Sequence, residues 1–160
     1  MAKPDPVATA DDAALALARK LLSDARFAAL AVIDPATLAP AISRIVIAAV
    51  PGGPVSLVSS LSAHHASLAA NPACAILVGE PGPKGDPLTH PRLMLQAVGG
   101  FVARTDTAHD DLRAQWLALH PKSKLYVDLA DFGFVRFAVT SAMLNAGFGK
   151  AFRLIPDDLA

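Results

Sequence analysis

Three groups of residues in this chain pair reactive side chains with a spacing that fixes where they point. Arg44 stands in a strand-like run, Ala41 to Val50, where alternation puts Ile42, Val46 and Ala48 on its face and Ser43, Ile45 and Ile47 on the other. A guanidinium in that setting calls for an anion such as a phosphate, held in bidentate fashion; the alternative is an edge-strand arginine that reaches water or a carboxylate. Ser59, Ser60 and Ser62 end a strand and open a helix whose first turn carries His64 and His65. Free N–H groups and the positive end of the helix favour an anion there. The alternative is a plain serine cap, with the histidines solvated or packed on Leu61 and Leu68. His90 and Arg92 flank Pro91 at the entry to a long strand. No metal is expected, because adjacent histidines lack the i, i+3 or i, i+4 spacing of helical ligand pairs. Nor is there a Ser-His-Asp order, a glycine-rich phosphate loop or a paired cysteine motif, and no side chain reads as a catalytic acid or base.

The elements that must position these residues follow from periodicity. Thr9 to Ala25 is helical in pattern, with Thr9 as a candidate N-cap. Strand-like runs follow at Phe27 to Ile33, Ala41 to Val50 and Val55 to Ser59, divided by turn-forming segments at Asp34 to Pro40 and Pro51 to Pro54. A short helix is expected over Ser60 to Ala70, a strand over Ala75 to Val78, and then a Gly/Pro-rich loop, Glu80 to Pro91, without structure of its own. A longer strand runs from Arg92 to about Arg104, with Leu93, Leu95 and Phe101 on its core face. A helix over Asp110 to Leu119 and strands over Phe134 to Val139 and Phe148 to Leu154 complete the chain. Trp116 and Tyr126 read as core or interface aromatics, His109 and His120 as surface residues, and Gly147-Phe148-Gly149 as a bend. About six strands with helices as connectors favour an antiparallel barrel over a doubly wound sheet.

The 160 residues suit one domain, 1–160, with 1–25 as an N-terminal helical segment. Fourteen basic residues balance fourteen acidic ones, which disfavours a general nucleic-acid partner. No apolar run reaches the length of a membrane span, and the lone Cys74 excludes an internal disulfide, so a cytoplasmic setting is expected. Charged residues make up only 18% against 53% hydrophobic, much of it alanine, which leaves too few charges to cover a monomer and points to an oligomer.

Taken together, Leu57 to Leu68, Asn71-Pro72 and Ile76 to Val78 resemble the strand-helix-strand unit of the pyridoxamine 5'-phosphate oxidase-like FMN-binding split barrels. Gly85 to Leu95, Asp131-Phe132, Arg136 and Gly147 to Ala151 are similar to its haem-utilisation (HugZ-type) branch. The resemblance implies a six-stranded antiparallel split barrel, mainly β with α connectors, that forms a homodimer with FMN in the grooves between subunits. It implies a flavoprotein oxidoreductase acting on a small-molecule substrate. Arg44, Ser59, Ser60, His64 and His65 would stand at or near the FMN phosphate, Ile45 and Val46 along the ring, and Arg92 would approach from the partner chain. His65, Ser67 and Ala97 depart from the branch's pattern, which implies an altered phosphate pocket. The C-terminal Arg- and His-containing signature of true pyridoxamine phosphate oxidases is absent, so that activity is not expected. Two alternatives stay open. One is a HugZ-type haem-binding or haem-degrading protein, with His90, His109 and His120 as further potential ligands; the other is a flavin-free split-barrel ligand-binding or interaction module.

Overall fold

A computed structural model of the chain describes residues 7–160. The expectations for 1–6 lie outside the described residues. Among the described residues nine strands form one sheet, accompanied by three α-helices. The order is β1 (Val7–Thr9), α1 (Asp12–Asp24), β2 (Phe27–Ile33), β3 (Pro40–Val46), β4 (Ala48–Val50), β5 (Gly53–Ser59), α2 (Ala63–Ala70), β6 (Ala73–Val78), β7 (Arg92–Val102), α3 (His109–Leu119), β8 (Phe132–Asn145) and β9 (Ala151–Leu154). No helix is long and apolar enough to cross a membrane.

Two features raise the strand count above the expected six or so, and one strand is longer than expected. Val7–Thr9 is not the start of a helix but a short strand paired in parallel with β9. Asp11, rather than Thr9, caps α1 by accepting from the Ala14 N–H at 2.8 Å. The run expected as one strand from Ala41 to Val50 breaks at Ile47 into β3 and β4. β8 also continues well past Val139, so that its two halves serve different neighbours: β5 at the start and β9 at the end.

Every pairing other than β1 with β9 is antiparallel. The hydrogen-bonded path runs β1-β9-β8-β7-β6-β2-β3, with β5 joined to β8 and β4 to β5. That path is not closed, and between β3 and β5 it is the chain itself, passing through Ile47 into β4, that makes the crossing. Backbone groups freed at the break are met by other partners. Ser56 Oγ donates to the Val46 carbonyl at 2.7 Å and His120 Nε2 to the Ile47 carbonyl at 2.9 Å. The Ile47 N–H donates to the Arg26 carbonyl at 3.1 Å.

Alternation fills the interior. Ala28, Leu30 and Val32 of β2 face Ile76 and Val78 of β6 and Leu93 and Leu95 of β7, and α1 covers this core with Ala14, Ala18 and Leu22 at helical spacing. A second cluster lies on the other side of β5 and β8, where Trp116 and Leu112 of α3 pack on Val55, Leu57 and Phe134. His109 joins it, which corrects the surface expectation: it is 8% exposed and stacked edgewise on Phe134, because the first turn of α3 lies directly over the sheet. His120 is likewise not a free surface residue, since its ring lies against Trp116 at 4.4 Å. Phe101 departs in the opposite sense. It follows Gly99 and Gly100 near the end of β7, and it stands 44% exposed instead of entering the core. The helix expected from Ser60 begins at Ala63, and the Glu80–Pro91 loop contains one 3-10 turn, Pro87–Thr89. The Gly147-Phe148-Gly149 bend forms as expected, with both glycines at positive φ.

Candidate functional site

The β5–α2 junction gathers most of the expected site residues. β5 ends at Ser59, whose Oγ donates to Asp131 Oδ2 at 2.7 Å and accepts from the Leu61 N–H at 3.2 Å. The Ser60 N–H donates to the Asp131 carbonyl at 2.7 Å. Ser62 is the cap of α2, accepting from the His65 N–H at 3.4 Å while its hydroxyl donates to the Ser59 carbonyl at 2.7 Å. These bonds fix the first turn of the helix, and with it the two imidazoles. His64 Nδ1 lies 3.2 Å from Ser43 Oγ on β3. Burial, helped by the neighbouring His65, pulls the His64 pKa below the ordinary value, so the neutral ring is favoured at neutral pH. His65 lies against the half-exposed Phe101 ring at 4.6 Å, and its ring nitrogens make no hydrogen bond among the described residues.

Other expected site residues are not brought to this junction. Ser43 is the β3 residue that meets His64, so Arg44 points to the opposite face of the strand. There its guanidinium lies 5.4 Å from the centre of the Phe27 ring, with no acidic partner among the described residues. Val46 is exposed on the same face as Arg44, whereas Ile45 is buried in the core. Arg92 opens β7 and donates to the Leu88 carbonyl at 3.3 Å, which ties it to the loop before it. A cavity of about 510 Å³, lined by Leu22, Pro51, Gly52, Pro54 and Phe137, touches none of these residues.

Asp131, Ser43 and Phe101 belong to the cluster but were not among the expected site residues. Ser43 was legible in principle, since Ser43 and Arg44 cannot share a face of a strand. Asp131 was not, because its contact with Ser59 depends on β5 pairing with β8 across 72 positions.

The chemistry of this donor set decides which group it suits. A flavin phosphate is a dianion and needs cations and free donors. Here the Ser59 hydroxyl is already given to a carboxylate, the Ser62 hydroxyl to a carbonyl, His64 is neutral, and Arg44 faces away. Within one protomer no guanidinium or ammonium group is brought to the cluster for a phosphate. The cluster's open ring is the His65 imidazole, set on a capped helix beside Phe101, a group that serves an anion or a metal alike. The other histidines are engaged. In the Glu80–Pro91 loop, His90 accepts from the Gly82 N–H at Nδ1 and donates to the Lys84 carbonyl from Nε2.

The split sheet of this order is shared with solved proteins of the pyridoxinephosphate oxidase family and with heme-binding proteins, and part of the chain is similar in sequence to a heme oxygenase. No family model matches the chain. It is 33% identical over 101 residues to the chloroplastic non-canonical heme oxygenase HOZ of Arabidopsis thaliana, a match that covers 63% of this chain and 30% of that protein. A heme-binding protein from Mycobacterium smegmatis superposes with a TM-score of 0.82 at 23% identity, covering 99% of this chain and 61% of the other. A general stress protein 26-related member of the pyridoxinephosphate oxidase family from Clostridium acetobutylicum superposes with a TM-score of 0.71 at 14% identity, covering 94% and 100%. An FAD-binding protein from Mesorhizobium loti gives 0.65 at 14% identity, covering 81% and 91%.

Proposed function

We propose that this chain is a haem-binding split-barrel protein that works as a homodimer. The observation that carries this reading is the β5–α2 junction, which offers an open imidazole beside an exposed aromatic ring and no free cation for a phosphate. The sequence identity with a heme oxygenase and the fold shared with a heme-binding protein support it. Dimerisation is supported by the outer face of β3, β2 and β6, where Ile42, Val46, Phe27 and Leu77 are exposed apolar side chains on neighbouring strands.

A flavin-binding oxidoreductase is the second reading, and one observation favours it. Arg44 is an unneutralised cation on that same outer face, where a second copy would have to bring the remaining contacts to a flavin phosphate. Titration of the purified protein with haemin and, separately, with FMN distinguishes the two. Saturable formation of a shifted Soret band, with FMN left free in solution, is the expected result. Retention of FMN on gel filtration with no haemin uptake overturns the haem reading in favour of the flavin one.

A further inference from the structure

Five histidines are present in the chain, and the structure sorts them by what a second ring proton would do. His120 only donates, from Nε2 to the Ile47 carbonyl, and His64 meets the Ser43 hydroxyl, which can donate or accept. His109 has the Asp110 carboxylate 3.7 Å from Nδ1, and the His65 ring nitrogens make no hydrogen bond among the described residues. None of these contacts is broken by a proton on the ring. His90 differs. Its Nδ1 accepts from the Gly82 N–H at 3.2 Å, and its Nε2 donates to the Lys84 carbonyl at 2.8 Å. A backbone amide N–H only donates and a carbonyl only accepts, so the two bonds together require the neutral ring with its proton on Nε2. A proton added at Nδ1 would face the Gly82 N–H, donor against donor.

The loop around this ring has two parts, held in different ways. The turn Pro87–Thr89 is closed by its own neighbours: Asp86 Oδ1 accepts from the Leu88 N–H at 2.9 Å, and the Thr89 hydroxyl donates to the Asp86 carbonyl at 2.7 Å. The arm before it, residues 81–85, makes no hydrogen bond among the described residues beyond the two to His90. Pro81 and Pro83 have no N–H to offer, and every residue of the arm is exposed. The imidazole is therefore the arm's anchor, packed so closely that a Cβ on Gly82 would lie 3.0 Å from its Cε1. Among the described residues no charged side chain is bonded to the ring. Within the loop, the Asp86 carboxylate is turned to the Leu88 N–H and Arg92 donates to the Leu88 carbonyl, while Glu80 and Lys84 form no ion pair. The β8–β9 bend, where Gly147 approaches the Thr89 carbonyl, carries Lys150. On the other side, Glu80 and Pro91, the two ends of the loop, line a groove of about 420 Å³ to which α1 contributes Lys20 and Asp24, paired with each other, and the next turn Arg26, bonded to backbone carbonyls.

We propose that His90 is a one-proton latch: neutral, it holds the 81–85 arm closed beside this groove, and protonated, it releases the arm while the Pro87–Thr89 turn and the sheet stay in place. The test is nuclear magnetic resonance on the full isotope-labelled chain, for the wild type and His90→Ala. The His90 Cε1–H resonance reports the charge of the ring, and the exchange rate of the Gly82 amide, relative to an unstructured peptide at the same pH, reports the anchor. The Leu93 and Leu95 amides of β7 show whether the chain is folded. The expected result for the wild type is a Gly82 amide protected at least ~tenfold near pH 8, losing that protection by about pH 5 in step with titration of the ring, while the β7 amides stay protected. In His90→Ala the Gly82 amide should exchange freely at both pH values with β7 still protected. Protection of Gly82 that survives protonation of the ring overturns the latch, as does a ring still neutral at about pH 5. A Gly82 amide no better protected in the wild type than in His90→Ala near pH 8 overturns the anchor itself. Loss of the β7 protection together with that of Gly82 means that the whole sheet opens, and it overturns a local release.

Discussion

Replacing Ser56 by alanine probes the point where the sheet fails to close. Ser56 is fully buried on β5, and its hydroxyl donates to the Val46 carbonyl at 2.7 Å, immediately before the chain leaves β3. No ladder bond from β5 takes over that role, because β5 pairs with β4 and β8 and not with β3. The substitution deletes one hydrogen bond and leaves a carbonyl short of a donor, which costs about 1–3 kcal/mol; the near-equal volume of alanine adds no cavity and returns a few tenths through lower polarity. A net loss of about 1.5 kcal/mol is expected. For a chain of this size the unfolding entropy is about 0.3 kcal/mol/K, so the melting temperature should fall by about 4–5 °C. Urea unfolding followed by far-UV circular dichroism measures the change directly, with an unchanged m-value showing that the same structure is being lost. Ser23→Ala, at an exposed position of α1 where the hydroxyl bonds only within the helix, serves as the reference and should be near neutral. A loss below about 0.3 kcal/mol for Ser56→Ala would refute the idea that side-chain bonds hold the crossing.

Four further outcomes follow from the same geometry. The pKa values of His64 and His120 are lowered from 6.5, chiefly by burial, so in the window just below 6.5 the unfolded chain binds more protons than the folded one. Stability should therefore fall as pH drops below 6.5 and level off beneath the folded-state values; urea midpoints for wild type and the His64→Gln/His120→Gln variant should show a flatter slope in the variant. Gly79 has φ +97°, and an added Cβ would lie 2.6 Å from the Pro91 carbonyl oxygen, whereas Gly149 has φ +73° and open space around it. Thermal melts should show Gly79→Ala losing at least ~2 kcal/mol and Gly149→Ala about 1 kcal/mol, the difference being the clash. Asp131→Asn removes a negative charge beside Ser59 while its amide oxygen still accepts from that hydroxyl, so FMN left free by the wild type should show measurable fluorescence quenching with the variant; no quenching would contradict the charge account of the junction. Ile42→Glu, on the exposed face of β3 where Ile42 is 75% exposed, should convert a dimer to monomer by light scattering without lowering monomer stability.

The amino-acid sequence by itself determined the repeating local choices. Phe27–Ile33 is a strand with the bounds its alternation predicts, and the helices near Asp12 and His109 carry the apolar stripes expected of them. It also marked Ser62, His64 and His65 as one turn, since their relation is local. Tertiary structure decided which residues they meet. Arg44 and His64 resemble partners in a phosphate site, yet Ser43 takes the place opposite His64 because a strand sends consecutive side chains to opposite faces. Asp131 reaches Ser59 only through the β5–β8 register, and Phe101 is exposed on the part of β7 that has passed the end of β6, whose pairing stops at Val98. Likewise, the break at Ile47 has no signal in an apolar run; it exists because Ser56, Arg26 and His120, distant in the chain, supply the hydrogen bonds that a continuous ladder would have made. Periodicity records the face a residue occupies within its own element, whereas a site depends on register between elements, which is set only when the whole sheet assembles.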